Sequence, residues 1–379
     1  MAITIISIGV MAIITAIGFL LASFHGLGES VVGSGVGHIQ ITQNIKYGKS
    51  INKETQISID KITNQIQQIR FTTPRVIFEG LISSDKETVS IVGQGIVPNK
   101  EAKISSVFAN IIEGNELSSE LNSIEILLGS KLKESLKLKM NDYVTLLTIL
   151  KDGGINAIDF NVEGVYETGI PEKDARYISI PITTAQELLG TDEVNKVVIV
   201  LRNTKDTKKV VAQLRKKMPK LTVKAWYEIA PYYSQVVALY TNIFSVVGII
   251  ILIVVLLSIA NTMLMTVMER VREIGTLRAI GFSKKQLTAE FSLEGFLLGV
   301  IGVTFGLLLS VIIAALIGLL NIDMPPPPGR TTPYPLIIFI DYYAYCLVGI
   351  IMVFCTTFVA KLTINKVLKQ SIIKSLNYD

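Results

Sequence analysis

Histidine and cysteine are almost missing from this 379-residue chain, which has two of each and a single tryptophan. A Ser/His/Asp nucleophile needs a histidine beside its serine, and a zinc site needs several His or Cys side chains at ligand spacing. His25 ends an apolar run and His38 sits in an alternating stretch, neither with a second ligand at such spacing. Both read as structural, so no catalytic residue and no metal ligand is expected. Cys346 and Cys355 lie nine residues apart in the last apolar stretch. At about 100° per residue they point to opposite faces of one helix and do not pair.

Charge is scarce as well, at 18% of residues against 50% hydrophobic. Residues 1–28 contain no Asp, Glu, Lys or Arg, and neither do the forty residues between Glu228 and Glu269. Such runs exclude a soluble enzyme and a disordered chain. Residues 29–228 hold 26 of the 36 basic and 24 of the 31 acidic side chains, which excludes a membrane protein with short loops only. The near balance of sign there is no surface for neutralising phosphates, so no nucleic-acid partner is expected.

Four stretches reach the roughly 20 residues that cross about 30 Å of hydrocarbon as a helix. They run over 2–24, 240–268, 291–320 and 336–360. The second is long enough to continue outward as a stalk. A signal peptide is the alternative for the first, disfavoured because no basic residue precedes it and its run exceeds the usual 7 to 15 residues. Arg270, Arg272, Arg278, Lys284 and Lys285 crowd the 269–290 connection and Lys361, Lys366, Lys369 and Lys374 the tail, whereas the 325–335 loop has only Arg330. The positive-inside rule places both basic segments and both termini in the cytoplasm of a cell inner (plasma) membrane, with the large polar segment outside.

The organisation expected is transmembrane helix 1 over 1–28, an extracytoplasmic α+β domain over 29–235, and a membrane domain over 236–379. In the outer segment, 37–42, 89–97, 143–149, 160–166 and 196–201 read as strands. Ile62, Ile66 and Ile69 recur like a helix face, Thr184 and Glu187 have capping-box spacing for a helix over 184–189, and Val210, Leu214 and Met218 share a face over 206–218. Arg215-Lys216-Lys217 reads as a solvated helix end. Gly48-Lys49-Ser50 mimics the end of a phosphate-binding loop, but Gln43 stands where the required glycine belongs, so this chain is not expected to hydrolyse ATP.

Between the second and third spans, Glu269 and Glu273 lie four apart with Arg270 and Arg272 among them, while Ile274, Leu277 and Ile280 form an apolar stripe. The pattern predicts a short amphipathic helix over 269–281 at the membrane surface, ended by Gly281, with Ser283 capping the next helix. The third span carries Gly295-x-x-x-Gly299 and Gly302-x-x-x-Gly306, a spacing that lets helix backbones touch. Glu294 is its sole deep ionisable residue, expected to be protonated, hydrogen-bonded or near the interface. The outer loop over 322–336, with Pro325, Pro326, Pro327, Pro328 and Gly329, favours a stiff polyproline segment that braces the outer domain or touches a partner. Its deletion is expected to uncouple transport while assembly survives.

The stretch Asn261-Thr262-Met263-Leu264-Met265 followed by Glu269-Arg270 to Gly281-Phe282 resembles the FtsX-like permease family, which includes MacB-type exporters and, closest in layout, the lipoprotein-releasing permeases LolC and LolE. Residues 126–132, 140–142 and 160–166 resemble that family's outer core domain, so the likeness covers nearly the whole chain. It implies a permease subunit of an ABC transporter, and it makes Glu269, Arg270, Arg272, Glu273, Gly275, Arg278 and Gly281 the residues that couple to an ATPase. The short helix becomes a coupling helix docked on a separate ATPase subunit that binds ATP and Mg, since no nucleotide-binding domain is fused here and no cofactor is expected in this chain. A second permease chain, like or unlike, membrane lipid, and a periplasmic lipoprotein carrier or adaptor are the further partners implied. Extraction or export of a lipoprotein or other amphiphile is the first reading. Efflux of small compounds or peptides and non-transporting control of a cell-wall hydrolase are the alternatives. Family members usually begin with a basic amphipathic segment, which this sequence lacks.

Overall fold

The computed structural model describes residues 2–44, 50–105, 110–120, 123–150, 152–324 and 334–368. The chain divides into a unit of Gly26–Ser234 and a unit of Met1–His25, Gln235–Met324 and Pro335–Asp379. The expectations on Lys49, on Pro325 to Gly329 and on Lys369 and Lys374 fall outside the described residues.

Helix α1 covers Ala2–Val31 and gives way to an irregular turn, in which Ser34 and Gly35 leave helical geometry. The unit that follows is a mixed α+β domain. Its strands are β1 (Ile39–Gln43), β2 (Ile69–Ser83), β3 (Thr88–Ile96), β4 (Asn110–Gly114), β5 (Glu125–Gly129), β6 (Tyr143–Ile149), β7 (Ile155–Glu167), β8 (Tyr177–Pro181), β9 (Lys196–Leu201) and β10 (Leu221–Ala225). Helices α2 (Lys53–Thr63), α3 (Pro98–Ser105), α4 (Ser130–Leu136), α5 (Pro171–Arg176), α6 (Ile182–Leu189), α7 (Thr207–Lys217) and α8 (Trp226–Ile229) pack among them.

The strand order is β10-β1-β9-β2-β3-β8-β5-β7-β4, with β6 joined to β2 and β7. Strand β2 organises it by changing partners along its length: Ile69 to Arg75 pair with β9, and Val76 to Ser83 pair with β3. Pro74 falls in the first half, where only one edge is bonded, so its missing N–H costs no ladder bond on the other side. Ile41, Ile59, Phe160, Ile199 and Leu214, all fully buried, belong to a core that runs under both halves. Each such side chain stabilises the fold by about 1.5–3 kcal/mol on burial.

Three local expectations need correction. Ile62, Ile66 and Ile69 do not share a helix, because α2 ends at Thr63, Ile66 lies in the turn, and Ile69 is claimed by pairing with Leu201. Thr184 is no cap, since α6 begins at Ile182, and its hydroxyl donates instead to the Ser123 carbonyl at 2.8 Å. Arg215 is not merely solvated, for it donates to the Val223 carbonyl and pairs with Glu228 at 2.7 Å.

The other unit holds α1's first turns together with α9 (Pro231–Glu269), α10 (Val271–Ala279), α11 (Lys284–Leu320) and α12 (Tyr342–Val367). Among the described residues, four helices are long and apolar enough to cross a membrane: α1, α9, α11 and α12. At about 1.5 Å per residue the 39 residues of α9 extend roughly 59 Å, well beyond a hydrocarbon core. Helix α12 begins at Tyr342 rather than at 336. The Leu336 N–H bonds to the Ile322 carbonyl and that of Phe339 to Gly18, and Asp341 then caps the helix, so the preceding residues make no helical bonds.

The four glycines of α11 meet two different helices. A β-carbon on Gly295 or Gly299 would strike Ala360 or Thr356 of α12. One on Gly302 would come within 2.6 Å of Ile6 and one on Gly306 within 2.7 Å of Val10, both on α1. There Ser7 donates its hydroxyl to the Gly302 carbonyl at 3.0 Å. Helix α9 joins through Val255, Ile259 and Met263, which share a buried cluster with Ile6, Val10, Val303 and Met352.

Candidate functional site

The connection between α9 and α11 is built from caps. Arg270 leaves helical geometry at φ −101°, ψ 14°, which separates α9 from α10, so the single helix expected over 269–281 is a nine-residue helix hinged at Arg270. At the other end Gly281 has φ 112°, a conformation that suits glycine. Its N–H bonds to Arg278 and that of Phe282 to Leu277, the paired bonds of a Schellman ending. Ser283 and Gln286 then form a reciprocal capping box that starts α11.

One face of α10 is fastened to the unit's own helices. Val271 and Ile274 pack with Val267 of α9, Leu287 and Phe291 of α11, and Ile364 and Val367 of α12. Gly275 is buried on this same face rather than exposed to an outside partner. Glu269, Arg272 and Glu273 occupy the exposed face, with Arg278 half-buried and Gly281 exposed at the turn. Ile280 does not extend the buried stripe: it is 72% exposed, with Phe282 beside it at 45%. Sequence reasoning missed this apolar tip because Ile280 has the right spacing for the stripe, yet it lies past the end of the helix that would carry it inward.

The hinge residue holds several parts at once. Arg270 Nε donates to Glu273 at 3.0 Å, its Nη1 lies 3.9 Å from Glu294, and its guanidinium sits 5.6 Å from the Phe291 ring centre. The bond to Glu273 raises the guanidinium's pKa above its ordinary value. Glu294 is therefore not isolated, since it faces this arginine.

In the α+β unit, polar side chains pin the segment that follows α1. Arg75, 2% exposed, pairs with Glu101 of α3 and donates to the Gly35 carbonyl, while Lys173 reaches the Ser34 carbonyl at 3.3 Å. Lys196 stands opposite Arg75 in the β2–β9 ladder. Burial, then the charges of Arg75 and Lys173, lower its amine to about 7, with Glu101 offsetting part. His38 accepts the Leu201 N–H at Nδ1, which leaves Nε2 to donate to Thr204, whose hydroxyl donates to Glu29 at 2.6 Å. Burial lowers its pKa, and the neutral ring serves as a brace. A cavity of about 710 Å³ opens beside this segment, with an apolar floor of Ile96, Leu117, Leu127 and Tyr166. Among the described residues no cluster of three or more His, Cys, Asp or Glu could hold a metal ion.

Residues 1–217 match the MacB-like periplasmic core domain, and residues 245–372 match the FtsX-like permease C-terminal family. Over 264 residues the chain is 22% identical to the lipoprotein-releasing system transmembrane protein LolE of Haemophilus influenzae, covering 68% of this chain and 63% of that protein. It is 30% identical over 173 residues to the macrolide export ATP-binding/permease protein MacB of Bordetella avium, covering 43% of this chain and 26% of that one. With the lipoprotein-releasing protein LolC of Neisseria meningitidis it shares 22% identity over 326 residues, 83% of this chain and 78% of the other. The chain thus spans less than two thirds of LolE and about a quarter of MacB.

Proposed function

This chain belongs to the FtsX-like permeases that carry a MacB-like periplasmic core domain, and we propose that it is the permease subunit of an ABC transporter driven by an ATPase on a separate chain. The observation that carries this reading is the division of α10 into two faces. Its inner face is packed on the ends of three membrane helices, so a push on its outer face is delivered to all three together. The outer face offers Glu269, Arg272 and Glu273 for ion pairs and Ile280 and Phe282 as an apolar anchor for a pocket on the ATPase. Arg278 and Gly281 flank that anchor, and Arg270 ties the helix to α11 so that it moves as part of the bundle. ATP and Mg would be bound by the partner, and two permease chains would work with two such subunits.

The cargo we assign is a lipoprotein or similar amphiphile drawn from the membrane. Support comes from the lipoprotein-releasing names of LolE and LolC and from the likeness to LolC along most of both chains. Export of small compounds is the second reading, favoured by the 30% identity with the macrolide exporter. Arg272→Glu, which reverses charge on the exposed face, should leave the protein in the membrane but lose co-purification of the ATPase subunit. Retained association would overturn the assigned interface. Release of a labelled lipoprotein from vesicles holding both chains distinguishes the cargo readings, since an exporter of small compounds leaves it in place.

A further inference from the structure

A groove of about 730 Å³ runs between the start of α11 and the end of α12. Lys284 and Lys285 line it from one helix and Lys361 from the other. Its lining contains no acidic side chain, and among the described residues these three ammonium groups have no carboxylate partner. Asn365 adds a donor: its amide oxygen accepts the Thr288 hydroxyl at 3.0 Å, which turns its NH₂ group to other acceptors. One and two helical turns further into the span, Phe358 and Phe354 stack with their rings 10° from parallel, 51% and 69% exposed. The groove therefore joins three cations and an amide to an apolar wall on the surface of two spanning helices.

We propose that this groove binds a phospholipid with an anionic headgroup, the phosphate held by Lys284, Lys285, Lys361 and Asn365 and an acyl chain laid along Phe354 and Phe358. The chemistry matches at both ends. Basic pockets between membrane helices suit anionic headgroups, whereas an acidic protein surface has no use for the exposed ring pair leading into the hydrocarbon. The groove draws on α11 and α12 together, at the same ends that hold α10, so a bound lipid would clamp the two helices beside the coupling helix. The site does not depend on the ATPase assignment and would stand if that reading failed.

The test uses the whole chain in nanodiscs of equal phosphatidylglycerol and phosphatidylcholine, re-extracted in detergent, with retained lipid measured by mass spectrometry. The wild type should retain phosphatidylglycerol in excess. Each Lys→Gln change should lower that preference about fivefold, the equivalent of about 1 kcal/mol per basic residue at an anionic surface, and the triple change at 284, 285 and 361 should abolish it. The triple Lys→Arg variant should keep it, which separates charge loss from misfolding. Phe354→Ala with Phe358→Ala should reduce both lipids without changing their ratio. Equal retention of the two lipids by the wild type, or an unchanged ratio in the triple Gln variant, overturns the proposal. So does loss of a co-purifying protein from that variant with the lipid ratio intact, which would make the groove a protein-docking surface.

Discussion

Lys196 lies in an environment that its sequence neighbours do not suggest. Read as the first residue of a strand, it looks like a solvated strand end; in the fold it lies opposite Arg75 with Lys173 nearby, and its amine falls to about 7. The amine titrates near 10.5 in the unfolded chain. Below pH 7 both states carry the proton and the folded one bears the full cost of a buried cation. As pH rises from 7 towards 10.5 the folded chain releases the proton first, so stability increases across that window. Lys196→Met should therefore stabilise the outer unit most below pH 7, with the gain fading towards pH 10.5. A gain of about 2 kcal/mol would raise the melting midpoint by roughly 4–8 °C. Trp226, the sole tryptophan, lies buried in that unit, so its fluorescence can follow the melt in the intact chain. A gain that stays constant with pH would mean the amine is not the cause.

Among the elements, α11 is the one whose sequence pattern can be tested against its contacts. The glycine spacing was legible, because small residues four apart make one smooth stripe on a helix. Its partners were not: the four glycines share one face, and α12 meets that face at the level of Gly295 and Gly299 while α1 meets it at Gly302 and Gly306. Gly306→Ala should cost about 1–3 kcal/mol, since its new methyl group meets Val10 and the Ser7 carbonyl. Gly318→Ala in the same helix has open space and should gain about 0.5–1 kcal/mol. Ser7→Ala removes a single interhelical bond, expected to be worth about 0.6 kcal/mol. Unfolding by denaturing detergent would rank the three, and equal effects of the two glycine changes would refute the packing argument. The turn after α10 was equally legible from Gly281 and Ser283, whereas the break at Arg270 was not. An arginine carries no local signal for leaving a helix, and at the break its side chain pairs with Glu273 and lies 3.9 Å from Glu294.

At the scale of the whole molecule, the two units differ in the feature that makes orientation measurable. Both cysteines, Cys346 and Cys355, lie in α12, and the outer domain has none. With both replaced by serine, Ser84→Cys in the outer domain should react with a membrane-impermeant maleimide on spheroplasts. Thr276→Cys, exposed on α10, should react only after lysis. The reverse pattern would place α10 on the wrong side of the membrane for an ATPase and would sink the coupling proposal, though not the lipid site.

The sequence by itself determined the four apolar helices, the polar insertion between the first two, five of the ten strands of the α+β domain and the caps that follow α10. Each of these rests on interactions within a short window: the cost of charge in hydrocarbon, side-chain alternation, and the bonds at helix ends. Only the tertiary structure decided that β2 serves two sets of neighbours, that Gly275 faces inward while Ile280 faces out, and that Lys361 shares a groove with Lys284 and Lys285. Those facts depend on register and packing between segments tens to hundreds of residues apart, and no local period in the chain encodes them.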